Sequence, residues 1–328
     1  MTEAKRAVVA GWTGFIGRAL VDDLTSRGYE VARVGRDGPD VRWSDGPEAL
    51  RDVVDGADLL VNLAGKSVGC RYTDRNRDEI LRSRVETTRQ LHDAVTASAR
   101  PPRLWLNAST ATIYRYALDR PQTENDGELG AGFSVDVARS WEHELFAGRL
   151  PETRRVALRM AIVLGGPASD MLARLARFGV GGPQLDGWWF QHRRYRGIGD
   201  SPTGGPVPVH HSGGRQKFSW IHVDDVLRAV RFLEEHDEIS GPVNLASPNP
   251  ADNRTLMAEP RRATRMPLGI PAPRWLLEPA VWVLRNEAEL VLKSRWVLPE
   301  RLTAAGFAFR WPTLAPAIDD AVRRPALR

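Results

Sequence analysis

In the first half of the chain, short apolar runs alternate with longer stretches whose apolar residues recur at helical spacing. The runs lie at 7–10, 30–34, 58–63, 104–108 and 155–163, and the helix-like stretches at 16–27, 47–54, 74–98 and 135–148. This alternation predicts parallel strands joined by crossover helices, an α/β fold with a doubly wound parallel sheet. Leu59-Leu60-Val61 has no polar interruption, as a strand covered on both faces requires.

After residue 163 the pattern loosens. Gly165-Gly166-Pro167 and Gly181-Gly182-Pro183 bracket a short helix, and a loop rich in Gly, Pro, Arg and His runs on to about 215, where a domain crossing is expected. Residues 217–222 predict a strand. Asp224 is placed to cap a helix through Glu235, with Val226, Leu227, Val230 and Leu233 as its apolar stripe, and 242–246 return to the sheet. The apolar stretch 270–292 is interrupted by Arg274, Glu278, Arg285, Glu287 and Glu289, so it predicts one or two packed amphipathic helices and no membrane span. Trp275, Trp282 and Trp296, with Leu276, Leu277 and Val283, are expected to fill the core of a smaller lobe.

Composition excludes more than it assigns. The 328 residues suffice for one large domain or two modest ones. The net charge of +5 is a small excess of 46 basic over 41 acidic residues with no basic tail, so no nucleic-acid partner is expected. Cys70 is the one cysteine; it reads as an ordinary half-buried thiol, and a lone thiol fits a reducing compartment. Residues 1–6 are charged and lead straight into the first apolar run, leaving no room for a signal peptide, so a cytoplasmic location is expected.

Gly11-Trp12-Thr13-Gly14-Phe15-Ile16-Gly17 follows the first strand and opens the first helix. That is the setting of a Rossmann-type phosphate-binding loop: one glycine permits the turn, one admits the pyrophosphate to the backbone, and one lets helix and strand pack closely. The end of the second strand reads Arg33-Val34-Gly35-Arg36. It lacks the acidic residue that would hold the ribose hydroxyls of NAD, and Arg33 and Arg36 suit a 2′-phosphate, so NADP(H) is the expected cofactor. Leu63, Ala64 and Gly65, after Asn62, would pass beside the adenosine ribose. The expected division is a nucleotide-binding domain over 1–163, completed by about 216–246, and a smaller substrate lobe from 164–215 and 247–328 with an insertion over 184–212.

These features, with Ser109-Thr110-Ala111-Thr112-Ile113-Tyr114 and Trp220-Ile221-His222-Val223-Asp224-Asp225, resemble the extended short-chain dehydrogenase/reductases. Ser83-Arg84, Trp141-Glu142, Asn244-Leu245-Ala246-Ser247-Pro248-Asn249-Pro250, Leu298-Pro299-Glu300-Arg301-Leu302 and Ala305-Gly306-Phe307-Ala308-Phe309-Arg310 narrow the resemblance. They are similar to the epimerase-family subgroup with a C-terminal domain of unknown function, also described as cell-division-inhibitor-like and nucleotide-sugar-epimerase-related. The wider family uses a Tyr activated by a Lys four residues later, aided by a Ser or Thr upstream. Alignment on Trp141-Glu142 puts Ser134 and Ala138 at the Tyr and Lys positions. Thr110 matches the Ser/Thr position and Tyr114 lies near it; these two are the catalytic candidates. Asp136, Glu142, Arg84 and His222 are further candidates, and His222 also reads as a hydrogen-bonded structural histidine.

The insertion carries Trp188, Trp189, His192, Arg193, Arg194, Tyr195, Arg196, His210, His211 and Arg215. It reads as a lid offering guanidinium groups to a polar or anionic substrate, or as a surface excursion or homo-oligomer contact. The adjacent His210 and His211, with His192, lack metal-ligand spacing, and no metal is expected. The functional expectation is an NADP(H)-dependent oxidoreductase or epimerase acting on a small polar carbonyl or hydroxyl compound without the usual Tyr/Lys pair. The alternative is a non-catalytic NADP(H)-binding sensor or assembly protein.

Overall fold

The computed structural model describes residues 4–190 and 209–324. The chain opens with β1 (Arg6–Ala10), α1 (Phe15–Ser26), β2 (Glu30–Gly35), β3 (Val41–Arg42), α2 (Pro47–Val54), β4 (Leu59–Asn62), α3 (Asp74–Ala97), β5 (Leu104–Thr110), α4 (Phe133–Phe146) and β6 (Arg154–Met160). It continues with β7 (Ile162–Leu164), α5 (Pro167–Arg177), β8 (Lys217–Phe218), β9 (Trp220–His222), α6 (Val223–Glu235) and β10 (Gly241–Leu245). The last part comprises β11 (Ala251–Asp252), α7 (Asn253–Ala263), α8 (Arg274–Val283), α9 (Glu289–Leu292), α10 (Glu300–Ala304) and α11 (Leu314–Arg323).

Seven strands form one sheet in the order β10-β6-β5-β4-β1-β2-β3, each neighbour parallel. Successive side chains of a strand point to opposite faces. Val9, Val61, Leu106 and Leu158 therefore pack on the side of α1 and α6, while Val8, Leu60, Trp105 and Ala157 pack on the side of α2 and α3. Each such Val or Leu taken from water contributes roughly 1.5–3 kcal/mol, and both faces need one, which explains the uninterrupted apolar run of β4.

Two expected strands are each divided. The run 155–163 leaves the main sheet at Ala161, whose N–H donates to the Leu245 carbonyl at 3.0 Å, and β7 then pairs with β9 in a small separate sheet. The run 217–222 breaks at Ser219, whose N–H donates to the Arg295 carbonyl at 2.9 Å and whose hydroxyl accepts the Val297 N–H at 2.8 Å. Residues 295–297 thus pair alongside the chain where β8 gives way to β9.

Asp224 does not cap α6. His222 does: its Nδ1 accepts the Asp224 N–H at 3.2 Å. Asp224 lies in the first turn, where the Trp311 indole donates to it at 2.9 Å and Arg324 at 2.6 Å, while Asp225 accepts the Arg310 and Trp311 N–H groups at 2.7 and 2.9 Å. The start of α6 is therefore the anchor for residues 310–324. The expected tryptophan core of the small lobe is also corrected: Trp275 and Trp282 are 67% and 63% exposed. Leu277 and Val281, one turn apart, meet Ala288 and Leu292, and so narrow a stripe turns the tryptophans, Leu276 and Val283 outward.

Candidate functional site

The sheet order reverses between β1 and β4, and the crevice at the carboxyl ends of strands beside such a reversal is where open α/β sheets bind ligands. Gly11 sits there at φ +78°, and a Cβ on it would fall 2.6 Å from the Ala64 nitrogen. A Cβ on Gly17 would fall 2.5 Å from the Gly11 carbonyl, so strand, loop and helix touch through backbone alone. A side chain at Gly14 would meet only the Gly11 carbonyl, at 3.5 Å, and otherwise points away from the protein. Gly14 is the N-cap of α1, with no side-chain cap and no acidic residue in the first turn, so the helix presents its N–H groups and positive dipole end at the loop. Thr13 lies in the turn, and Phe15, Ile16 and Gly17 open the helix.

Buried Asn62 shapes the opposite wall. Its amide donates to Thr88 Oγ1 at 3.1 Å and Asn107 Oδ1 at 2.7 Å, and its Oδ1 accepts the Ala64 N–H at 3.0 Å, which turns Leu63, Ala64 and Gly65 against Gly11. At the end of β2, the Arg33 N–H and Nε donate to one Asp40 oxygen at 2.8 and 2.9 Å, and the guanidinium lies 5.4 Å from the Trp12 ring centre. Burial opposes the Asp40 charge, yet these bonds hold its carboxyl below the usual range. Arg36 is exposed and has no hydrogen bond or ion pair with another described residue. The buried Trp12 indole N–H has no acceptor among the described residues.

Below this rim lies a polar floor. Thr110 ends β5, half-buried, its hydroxyl accepting the Thr112 N–H at 3.1 Å. Tyr114 is not placed as an acid for the cleft. It is 2% exposed, its hydroxyl donates to Asn244 Oδ1 at 3.0 Å and accepts from Arg159 at 2.8 Å, and burial raises its pKa despite both partners. Arg159 in turn grips Glu142 through two bonds of 2.8 and 2.7 Å, and Ser109 donates to Glu142 at 2.6 Å. Glu142 is thereby engaged in a buried ion pair. Asp136 is also buried, near the start of α4.

Ser134 and Ala138 both lie on α4; Ala138 is fully buried, and the Ser134 hydroxyl donates to Glu289 Oε2 at 3.3 Å. Two further basic groups come from the segment after α9. Lys293 Nζ donates to the Thr112 carbonyl at 2.7 Å, and burial pushes its pKa down to about 8. Arg295 donates through Nε to Thr112 Oγ1 at 3.1 Å, and burial lowers its pKa too. Arg84, behind Gly65, donates to the Lys66 and Ile80 carbonyls at 3.0 and 2.9 Å and lies 5.0 Å from the Trp141 ring centre; burial pushes it down to about 10. Lys293 and Arg295 were not foreseen from sequence. They lie about 180 residues from Thr112, a distance no periodicity spans.

Elsewhere, Cys70 is half-buried and burial raises its thiol pKa. His192, Arg193, Arg194, Tyr195 and Arg196 of the insertion lie outside the described residues, while His210 stacks on Tyr116 at 3.5 Å. His222, Asp224 and Asp320 approach one another within 4.8 Å, the one metal-like grouping among the described residues. Arg324 donates to both carboxylates there and already supplies the positive charge.

Residues 7–131 match the NAD dependent epimerase/dehydratase family, and 272–321 match a domain of unknown function, DUF1731. The chain is 31% identical over 331 residues to the epimerase family protein SDR39U1 of Mus musculus, covering 97% of this chain and 99% of that one. It is 28% identical to the epimerase family protein YfhF of Bacillus subtilis, with 96% and 97% covered. The crystal structure of human epimerase family protein SDR39U1 (isoform2) with NADPH superposes with a TM-score of 0.80 at 29% identity, covering 98% of this chain and all of that one. No helix among the described residues is long and apolar enough to cross a membrane. Fold, glycine loop and similarity along nearly the whole length agree: this chain belongs to the epimerase family, in the branch that joins the NAD(P)-binding fold to this C-terminal domain.

Proposed function

We propose that the chain binds NADP(H) and acts as an oxidoreductase or epimerase on a small polar carbonyl or hydroxyl compound. The observation that carries this reading is the glycine cradle, in which Gly11 and Gly17 are closed off by backbone while the Gly14 side faces outward beside an uncapped helix N-terminus. Thr13, Gly14, Phe15, Ile16 and Gly17 would hold the pyrophosphate, and Leu63, Ala64 and Gly65 would line the adenosine ribose. Arg33, Arg36 and the unbonded Trp12 N–H fit a 2′-phosphate, and the NADPH of the human relative supports that choice. When bound, the nicotinamide supplies or accepts a hydride. Thr110 would orient the substrate oxygen, with the acid/base drawn from elsewhere than Ser134 and Ala138.

A second reading, a non-catalytic NADP(H) sensor or assembly protein, is favoured by those same two α4 positions, which carry no acid or base. Titration of nucleotide-stripped protein with NADP(H) and NAD(H) tests the common ground. Arg36→Ala should weaken NADPH about tenfold or more, the value of a charge-assisted contact, and leave NADH unchanged. Absence of binding by either nucleotide would sink both readings. Nicotinamide oxidation with some member of a carbonyl panel would then separate the enzyme from the sensor.

A further inference from the structure

Several arginines of the described residues are paired with acids: Arg115 with Asp119 and Glu128, Arg120 with Asp126 and Glu128, Arg159 with Glu142. Arg84, Lys293 and Arg295 differ. Among the described residues they bond only neutral oxygens: Arg84 the carbonyls of Lys66 and Ile80, Lys293 that of Thr112, and Arg295 the Thr112 hydroxyl with the carbonyls of Leu290 and Glu289. Each retains unused donors, since an ammonium offers three N–H groups and a guanidinium five. Burial raises the Tyr72 phenol well above its usual range, so it stays neutral and supplies no anion to them. Glu289 is the acid among them: its charge favours the protonated forms of Lys293 and Arg295 but does not outweigh their burial, and it makes no salt bridge with either. A desolvated cation without an anionic partner is costly, and the cost is offset when a ligand brings the missing charge.

We infer that this floor binds an oxyanion carried by the substrate, a carboxylate or a phosphate, with Lys293 as its ligand and Arg295 positioning the Thr110–Thr112 turn. The inference rests on the proposed reading of the cleft as a substrate site and narrows its substrates to acids or phosphate esters. Lys293 reaches the turn that follows Thr110, so the anion would be held on the Thr110 side of the floor. Burial has lowered the lysine to about 8, and a bound anion favours the ammonium, so binding takes up protons at alkaline pH and weakens as the pH rises through that value.

Calorimetric titration of the full chain with malonate and with inorganic phosphate, each with and without saturating NADPH, tests this. The expected result is that one probe binds, identifying the class, and that Lys293→Met weakens it about tenfold or more while NADPH affinity is unchanged. Lys293→Arg should retain the anion, and the wild-type affinity should fall between about pH 7 and about pH 9.5. Because Met replaces a half-buried cation that has no salt bridge, the variant should melt no lower than the wild type, which keeps lost binding separate from lost folding. Binding of neither probe, or equal binding by Lys293→Met, overturns the inference. Failure of NADPH alone to bind would count against the nucleotide reading, and the Lys293 dependence in the nucleotide-free arm would still decide the anion site.

Discussion

The glycine cradle and the floor of the cleft lie at the ends of neighbouring strands of one sheet, β1 and β4 for the cradle and β5 and β6 for the floor, but are built differently. The cradle is seven consecutive residues whose contacts run through backbone atoms: Gly11 against Ala64, Gly17 against Gly11. The floor is made of side chains from distant places, Arg84 on α3, Thr110 after β5, Ser134 on α4, Arg159 on β6, and Lys293 and Arg295 beyond α9. A backbone site is specified locally and leaves a motif. A side-chain site assembled by tertiary packing leaves only scattered charges, each of which reads as an ordinary surface residue until the fold joins them.

The sharpest break between the two should come in the floor. Arg159 and Glu142 are each about nine-tenths buried and joined by two bonds, and deleting one partner strands the other charge. Arg159→Met should therefore cost about 3–5 kcal/mol in chemical denaturation, with Glu142→Met equally severe. The double Arg159→Met, Glu142→Met variant should recover much of the loss. An additive double variant would show that the pair acts by packing rather than charge.

In the cradle, Gly11→Val should cost about 3 kcal/mol or more, from a positive φ and a clash with backbone that cannot give way. Nucleotide binding should vanish with it. A thermal midpoint near wild type would mean that the loop yields and that the backbone contact with Ala64 is not tight.

Legibility in the sequence follows the same line. Residues 47–54 were expected as a helix and are α2, because Pro47 opens it and the apolar spacing is clean. The strand runs of the first half and the parallel sheet were readable because two-sided burial leaves bare apolar segments. The splits at Ala161 and Ser219 were not, since what divides those runs is hydrogen bonding to Leu245, Arg295 and Val297, far along the chain. Tyr114 looked available beside Thr110; only the approach of Asn244 and Arg159 shows its hydroxyl to be engaged. The charged residues interrupting 270–292 argued against a membrane span but gave no sign that Glu289 would meet Ser134.

Acid should separate the regions more gently. Residues 310–324 are anchored at α6, where burial lowers the His222 imidazole from its ordinary 6.5 against the pull of Asp224 and Asp320, and with help from Arg324 and Arg310. Below pH 6.5 the unfolded chain takes up a proton that the folded chain does not, so stability falls as pH drops towards the lowered value and is full above 6.5. One such proton limits the slope to about 1.4 kcal/mol per pH unit. Thermal midpoints between about pH 7.5 and about pH 5.5 should fall more steeply for the wild type than for His222→Gln, since the glutamine does not titrate. Parallel slopes would assign the acid sensitivity to other groups.

The smallest expected change in stability is also the cleanest test of what the cradle is for. Gly14 has φ −70°, which any residue adopts, and a Cβ there meets only one carbonyl at ordinary contact distance. Gly14→Ala should therefore cost less than about 1 kcal/mol, chiefly from the poorer N-cap. The added methyl projects on the side where the pyrophosphate would approach the helix N-terminus. The protein should keep its melting temperature within a few degrees and lose NADPH affinity about tenfold or more, as a displaced charge-assisted contact does. If nucleotide affinity survives, the open side of Gly14 is not the pyrophosphate face and the cradle holds its ligand elsewhere. If affinity falls while stability holds, the glycine is there for a ligand and not for the fold, in contrast to Gly11, which the fold itself demands.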